Sequence, residues 1–284
     1  MTFAEKTIRL AQTIANRIKL PPIISIVLPD LVERDEVVDE FGFVILQDGS
    51  IGPFYVSLDN SLAECRKLYP PQQTLNINAI ELVDDLAHDA LARRAIALGA
   101  FNAISQHVFR CAGYVPEDAA SIGSRQPQAG ETVGMVGYFK RLIKRLRALD
   151  VEVMVLEKNP QRVDDDGGVR LTTQPQDLAR CDHILCTAST LINGTLDHLL
   201  QYRRAGASFS LIGPSGSGLP DVLFERGVDS VGGVMFRGSA QQVIDSFNDP
   251  DLRGKTGQKY QLTPDRYPGI ERLLQACYDN KRRD

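Results

Sequence analysis

The chain has 284 residues, with 32 Lys and Arg against 36 Asp and Glu, a formal net charge of −4 and a hydrophobic fraction of 43%. At about 100–200 residues per domain, that length predicts two domains, neither of which needs a disulfide or a metal to fold. No apolar run approaches the ~20 residues that cross a bilayer, the N-terminus is helix-periodic instead of signal-like, and mild acidity without Trp argues against a nucleic-acid platform; a cytoplasmic protein with no membrane or nucleic-acid partner is expected.

Thr2 and Glu5 have the spacing of a capping box, and Phe3, Leu10, Ile14 and Ile18 follow on one helical face, so a helix is predicted up to Pro21. Ile23 to Leu28, Val37 to Gln47 and Pro53 to Leu58 read as short strands, with Asp48-Gly49 as a hairpin turn, which predicts a small antiparallel meander. From Asn76 to Phe109 the pattern is helical in two pieces, with Gly99 allowing a close approach. Pro116 to Gly130 reads as a linker, which divides the chain into an α+β domain over residues 1–126 and a second domain over 127–284. Charge divides too: residues 1–126 carry 11 basic and 16 acidic side chains, 127–250 carry 13 and 15, and the tail 251–284 carries 8 and 5.

The second part alternates strand and helix. Glu131 to Val136, Val151 to Leu156, His183 to Thr187, Ala207 to Ile212 and Ser230 to Met235 are continuous apolar runs, the pattern of parallel strands covered on both faces. Helices are predicted from Tyr138 to Leu149, Asn193 to Ala205, at Leu219 and from Ser239 to Phe247. The fold class is α/β, a Rossmann-like doubly wound parallel sheet preceded by the α+β domain.

Ligands of such sheets bind beyond the carboxyl ends of the strands, near the topological switch point. Four segments fall there. Gly134-Met135-Val136-Gly137-Tyr138-Phe139 has two of the three glycines of a dinucleotide turn, and those glycines also suit strand–helix packing. Glu157 closes the second strand, where an acid can accept hydrogen bonds from ribose. Thr187, Ser189, Thr190, Asn193 and Thr195 form a hydroxyl and amide run that suits helix caps or an anion. Gly213, Pro214, Ser215 and Gly216 open a turn that can cradle an anion or simply join strand to helix.

Nucleophiles and acid–base groups are thin. The five cysteines contain no CxxC and the four histidines no HxxxH, so neither a zinc cage nor a disulfide framework is expected. Cys186 reads as a buried strand residue, His107 and His198 as partly exposed polar positions, and Asp182 with His183 as neighbours pointing to opposite faces of a strand. Asp164-Asp165-Asp166 reads as a solvated loop.

The succession VGMVGYF, VMVLEKNP, LARCDHILCTASTLINGTLDHLL and LIGPSGSGLPDVLFERGVDSVGGVMF resembles the putative heavy-metal chelation domain, a bacterial and archaeal family of otherwise unknown function. The first half, with LGAFNAIS over Leu98 to Ser105, is similar to the family's companion domain, which resembles the enolase N-terminal domain. The resemblance implies a site in the cleft between the two domains. It places Gly137, Phe139, Glu157, Pro160, Asp182, Thr187, Asn193, Thr195, Leu196, Gly213, Pro214 and Ser215 in the family pattern. Ala188 departs from the family's usual glycine, and the Gly-Ser-Gly-Leu after Ser215 lengthens the last loop.

Three functions follow as expectations. One is handling of a metal, a metal chelate or a small anionic ligand, with Arg253, Lys255, Lys259 and Arg266 of the basic tail closing over it. Another is a nucleotide-cofactor enzyme, an NAD(P) oxidoreductase or S-adenosylmethionine-dependent transferase, with Glu157 on the ribose. The third is a non-catalytic sensor or scaffold. A homo-oligomer is compatible with all three.

Overall fold

The computed structural model describes all residues except 32–38, 72, 74, 119–120, 164–167, 237–241, 243–256 and 283–284. Helix α1 (Phe3–Arg17) begins on the expected capping box: the Thr2 hydroxyl accepts from Glu5 N–H and the Glu5 carboxylate from Thr2 N–H. Strands β1 (Ile23–Val27), β2 (Phe41–Leu46) and β3 (Ile51–Tyr55) form the predicted antiparallel meander, in spatial order β1-β2-β3. Part of the run expected from Val37 lies outside the described residues.

The β2–β3 connection differs from a two-residue turn. Leu46 N–H bonds Ser50 O and Gly49 N–H bonds Leu46 O, with Gly49 at φ +83, so the loop holds three residues and its last one is left-handed. This turn aims the Asp48 carboxylate, which accepts from the amide and hydroxyl of Ser50.

Helix α2 (Ser61–Leu68) has no counterpart in the sequence reading. The two helical pieces expected between 76 and 109 are α3 (Ala79–Val83) and α4 (Leu91–Ala112). Nearly every residue of α4 from Ala92 to Phe109 is buried, the behaviour of a helix with apolar residues all round. Strand β3 runs against it so closely that a Cβ on Gly52 would stand 2.0 Å from Gly99 O and 2.3 Å from Ala103 N.

The large sheet has seven strands in the order β10-β9-β8-β7-β4-β5-β6. Strands β4 (Thr132–Val136), β5 (Glu152–Leu156), β6 (Arg170–Thr172), β7 (His183–Thr187), β8 (Ser208–Ile212) and β9 (Ser230–Phe236) are parallel, and β10 (Gly257–Leu262) closes the edge antiparallel to β9. The chain leaves β4 through β5 and β6 on one side and returns on the other through β7, so the switch point lies between β4 and β7.

Alternate residues enter two cores. Val133, Met135, Val153 and Val155 pack with Ile143 and Leu146 of α5 (Lys140–Arg147), while Val136, Met154, Leu156, Ile184 and Cys186 join one cluster with α4. Residues 121–130 of the expected linker pack along the sheet: Ser124 N–H donates to Ser210 Oγ at 3.0 Å, and Ile122 is buried.

Some boundaries change. The helix expected over 193–205 is two short ones, α6 (Thr190–Asn193) and α7 (Leu196–Leu200), separated by Gly194 at φ +72. The helix expected at Leu219 is a 3₁₀ turn over Pro214–Gly216 and then α8 (Asp221–Phe224). The tail, read only as basic, supplies β10 and helix α9 (Ile270–Lys281), which packs on α4 through Leu273, Leu274 and Cys277. The helix expected over 239–247 lies outside the described residues.

Candidate functional site

A cleft of about 410 Å³ opens at the carboxyl ends of β4, β5, β7 and β8. Gly137, Phe139, Glu157, Thr187, Ser189, Thr190, Asn193, Thr195, Gly213, Pro214 and Ser215 all line it. Gly216 does not: it backs the loop, where a Cβ would stand 2.7 Å from Gly232 O. Asp39, Phe41, Tyr55 and Leu58 join the lining from the meander, Lys158 and Thr173 from loops of the large sheet and His198 from α7.

The two glycines of the first loop have separate tasks. Gly134 is a packing glycine, since a Cβ there would meet Cys181 Sγ at 2.7 Å. Gly137, at φ +84, turns the chain out of β4, and its N–H donates to Leu156 O at 3.0 Å. That amide is therefore committed to β5. Glu157 is buried, and one of its carboxylate oxygens accepts from Asn159 N–H at 3.1 Å, shaping the loop after β5.

The hydroxyl run largely satisfies itself. Thr187 Oγ1 and Ser189 Oγ are 3.0 Å apart, Thr190 Oγ1 donates to Thr187 O at 2.7 Å, and Asn193 Oδ1 accepts from both the amide and the hydroxyl of Thr195 at 3.1 and 2.6 Å. Asn193 thus closes α6 and shapes the entry to α7; it is not the N-cap of one long helix. Helices this short carry little of the dipole that draws an anion.

The glycine–serine turn is likewise occupied. Gly213 sits at φ +116, where only glycine is at ease. Gly216 N–H bonds Gly213 O at 3.0 Å and Ser217 N–H bonds Pro214 O at 3.1 Å, so these amides close a 3₁₀ turn instead of an anion nest. Ser215 is a buried bridge: its hydroxyl accepts from Tyr55 N–H at 2.9 Å, and its carbonyl accepts from Asn102 Nδ2 at 3.0 Å.

Other sequence candidates lie elsewhere. Asp182 is an ion-pair partner of Arg204 and accepts from Thr132 N–H at 2.9 Å, at the opposite ends of the strands. His183 is buried and bonds Glu131 at 2.7 Å and Ser208 Oγ at 2.9 Å, with no dyad to Asp182. Lys259 lies on β10 and Arg266 pairs with Glu117, so neither lines the cleft; Arg253, Lys255 and the run 164–166 lie outside the described residues. Cys186 is buried, and burial pushes its thiol up to about 12.

The cleft is apolar on its walls, through Phe41, Leu58, Phe139, Pro175 and Leu199, and mixed in charge, through Asp39, Glu157 and Lys158. Tyr55 Oη donates to Asp39 at 2.7 Å and so fixes that carboxylate. No cysteine lines the cleft, and among the described residues no group of three or more His, Cys, Asp or Glu is arranged to hold a metal. A soft metal bound by protein ligands alone does not fit this lining. The residues missed in the sequence, 39–58, have no spacing that ties them to 187–215; they meet only because β3 packs on α4.

The comparisons agree with this architecture. Two structures of unknown function from the DUF364 family are similar to the whole fold at 18% identity: one from Pyrococcus horikoshii, covering 92% of this chain and 100% of its own with a TM-score of 0.64, and one from Desulfitobacterium hafniense, covering 91% and 98% with the same score. No curated protein matches the chain. Residues 120–248, which hold most of the parallel sheet, match the DUF364 family model, described as putative heavy-metal chelation.

Proposed function

We propose that the cleft binds a small organic metal chelate, or the chelator itself, and that the protein handles this ligand instead of coordinating a bare ion. The observation that carries the reading is the placement of apolar walls and convergent polar groups together at the β4/β7 switch point, the position where open parallel sheets take ligands. The family description supplies the metal. Among the described residues the lining holds no protein donor set, so the donor atoms belong to the organic part. Lys158 and the Thr187–Ser189 ledge face its anionic groups, and Phe41 and Phe139 its apolar surface.

Calorimetric titration of the full chain with nickel(II) and iron(III) complexes of a hydroxycarboxylate chelator, with that chelator alone and with the bare ions tests this. Saturable binding of a complex, weakened about tenfold by Lys158→Glu or Phe139→Ala, which is about 1.4 kcal/mol, supports the reading. Bare ions binding as tightly as the complexes, or no binding tighter than millimolar, rejects it.

A nucleotide ligand is the second reading, favoured by Glu157 lining the cleft at the end of β5. The committed Gly137 amide counts against a pyrophosphate there. Thermal shift with NADH, NADPH and S-adenosylmethionine separates the two readings, because a ligand at 100 times its Kd stabilises by about 2.7 kcal/mol. A shift that survives Glu157→Ala unchanged removes the ribose role.

A further inference from the structure

At the far end of the meander from the cleft, three side chains form a cluster, with the sulfur lying against the imidazole ring. His107 Nδ1 stands 2.8 Å from Asp48 Oδ2, and the Cys111 sulfur lies 3.4 Å from His107 Nε2 and 3.8 Å from Nδ1. Asp48 is held in turn by the amide and hydroxyl of Ser50, at 3.0 and 2.9 Å, and Arg110 donates to its carbonyl. His107 and Cys111 are one turn apart at the end of α4, and the three-residue loop brings Asp48 to them. His107, expected to be partly exposed, is 7% exposed, whereas Cys111 is half-buried. A second thiol, Cys277 of α9, donates to Val108 O at 3.6 Å, and α9 meets the end of α4 beside Cys111, where Asn280 Nδ2 donates to Cys111 O at 3.0 Å. Tyr55, at the cleft, is five residues from Ser50, so at about 3.3 Å per residue the cluster is roughly 17 Å away along β3.

The geometry points to a reactive centre apart from the cleft: Cys111 is a nucleophilic thiolate, positioned by the His107–Asp48 pair, that is oxidised by small hydroperoxides and then closed to a disulfide by Cys277. The charges agree. Interaction with Cys277 and His107 lowers the Cys111 thiol to about 5. Burial opposes charge on His107, but the Asp48 and Cys111 contacts raise it to about 9. Interaction with Cys111 and burial raise the Cys277 thiol, which stays protonated.

In the first step Cys111 Sγ attacks the terminal peroxide oxygen, an S–O bond forms and the O–O bond breaks. The leaving alkoxide takes the proton of His107, and two electrons pass from sulfur to the peroxide. In the second, Cys277 Sγ attacks Cys111 Sγ and its proton goes to the departing hydroxide; the S–S bond forms, the S–O bond breaks and water leaves. The sum is one hydroperoxide consumed, with one alcohol, one water and one disulfide produced.

The groups facing Cys111 from the hairpin, α4 and α9 are Asp48, His107, Arg110 and Cys277. The discriminating pH is 6. There a thiol near 5 is about a thousandfold more ionised than one near 9, while its thiolate is about 60-fold less nucleophilic, leaving a net gain of about tenfold. Iodoacetamide labelling of the reduced full chain, read peptide by peptide, should show a Cys111 rate nearly flat from pH 6 to 9. His107→Gln should lower that rate about tenfold at pH 6 and raise it about 30-fold at pH 9, where the weaker acid is half ionised and its thiolate the better nucleophile. Stoichiometric hydrogen peroxide should yield a Cys111–Cys277 disulfide, and Cys277→Ser should convert it to a dimedone-trapped sulfenic acid on Cys111. A folded protein whose Cys111 rate climbs about tenfold per pH unit to pH 8, or whose Cys111 gives neither product with peroxide, overturns the assignment. Asp48→Asn, which keeps the turn's hydrogen-bonding shape, serves as the second positioning variant: an unchanged pH profile also counts against the assignment.

Discussion

The backbone N–H of Tyr55, last residue of β3, donates to the hydroxyl of Ser215 at 2.9 Å. One hydrogen bond thus joins the end of the small meander to the loop that closes β8, and it lies at the back of the cleft. Ser215→Ala removes this acceptor from a buried amide, which costs about 1–3 kcal/mol. Urea unfolding should show that loss at unchanged m-value. A loss under about 0.5 kcal/mol would mean that the two elements are held together without this bond.

Asn102, fully buried on α4, donates through Nδ2 to Pro53 O at 2.8 Å and to Ser215 O at 3.0 Å. Asn102→Ala should cost about 2 kcal/mol for two lost bonds. Asn102→Asp should cost more, because an ionised carboxylate would face two carbonyl oxygens without a donor. Thermal unfolding of the two variants side by side checks the order; equal melting temperatures would contradict it.

Glycine at 52 is required by distance instead of dihedral angle. Its missing Cβ would meet the backbone of Gly99 at 2.0 Å and of Ala103 at 2.3 Å, and a helix backbone cannot rotate away. Gly52→Ala should therefore cost more than about 4 kcal/mol, with little folded protein recovered. Gly206→Ala is the matched contrast: φ is +81 but nothing lies within 4 Å, so the cost is the backbone strain alone, about 1–2 kcal/mol.

Glu131 carries an acid limit. The Arg125 guanidinium, at 2.9 and 3.2 Å, the Gln128 amide and His183 hold its carboxylate down to about 2, against an ordinary 4.5. A depressed folded value means that the carboxylate stabilises the fold above 4.5, and that this contribution fades as pH falls toward 2. Glu131→Gln should therefore be less stable than the parent at pH 7, with the gap closing by pH 2.5. A gap independent of pH would show that the carboxylate's charge is not what matters.

Local patterns carried much of the fold. The Thr2/Glu5 capping box, the meander and the five central apolar runs of the large sheet were legible because each is set by neighbours in sequence. What failed were the features set by packing. Strand β10 and helix α9 lay hidden in a segment that composition showed only as basic, and the predicted helix over 193–205 broke at Gly194. The strand-end segments were also legible as a group, since the doubly wound pattern itself places them at one edge. Their chemistry was not: the amides of Gly137, Gly216 and Ser217 look available in sequence, and the folded chain has already used them.

By itself, then, the sequence determined the α/β class, the strand-end loops that gather at the β4/β7 switch point and the family likeness of residues 120–248. Tertiary structure alone decided that residues 39–58 complete the cleft, that Ser215 is a bridge, and that Asp48, His107, Cys111 and Cys277 stand together. The reason is range. Periodicity and capping act over a few residues, whereas these groupings bring together residues far apart in the chain and exist only once β3 and α9 have packed on α4.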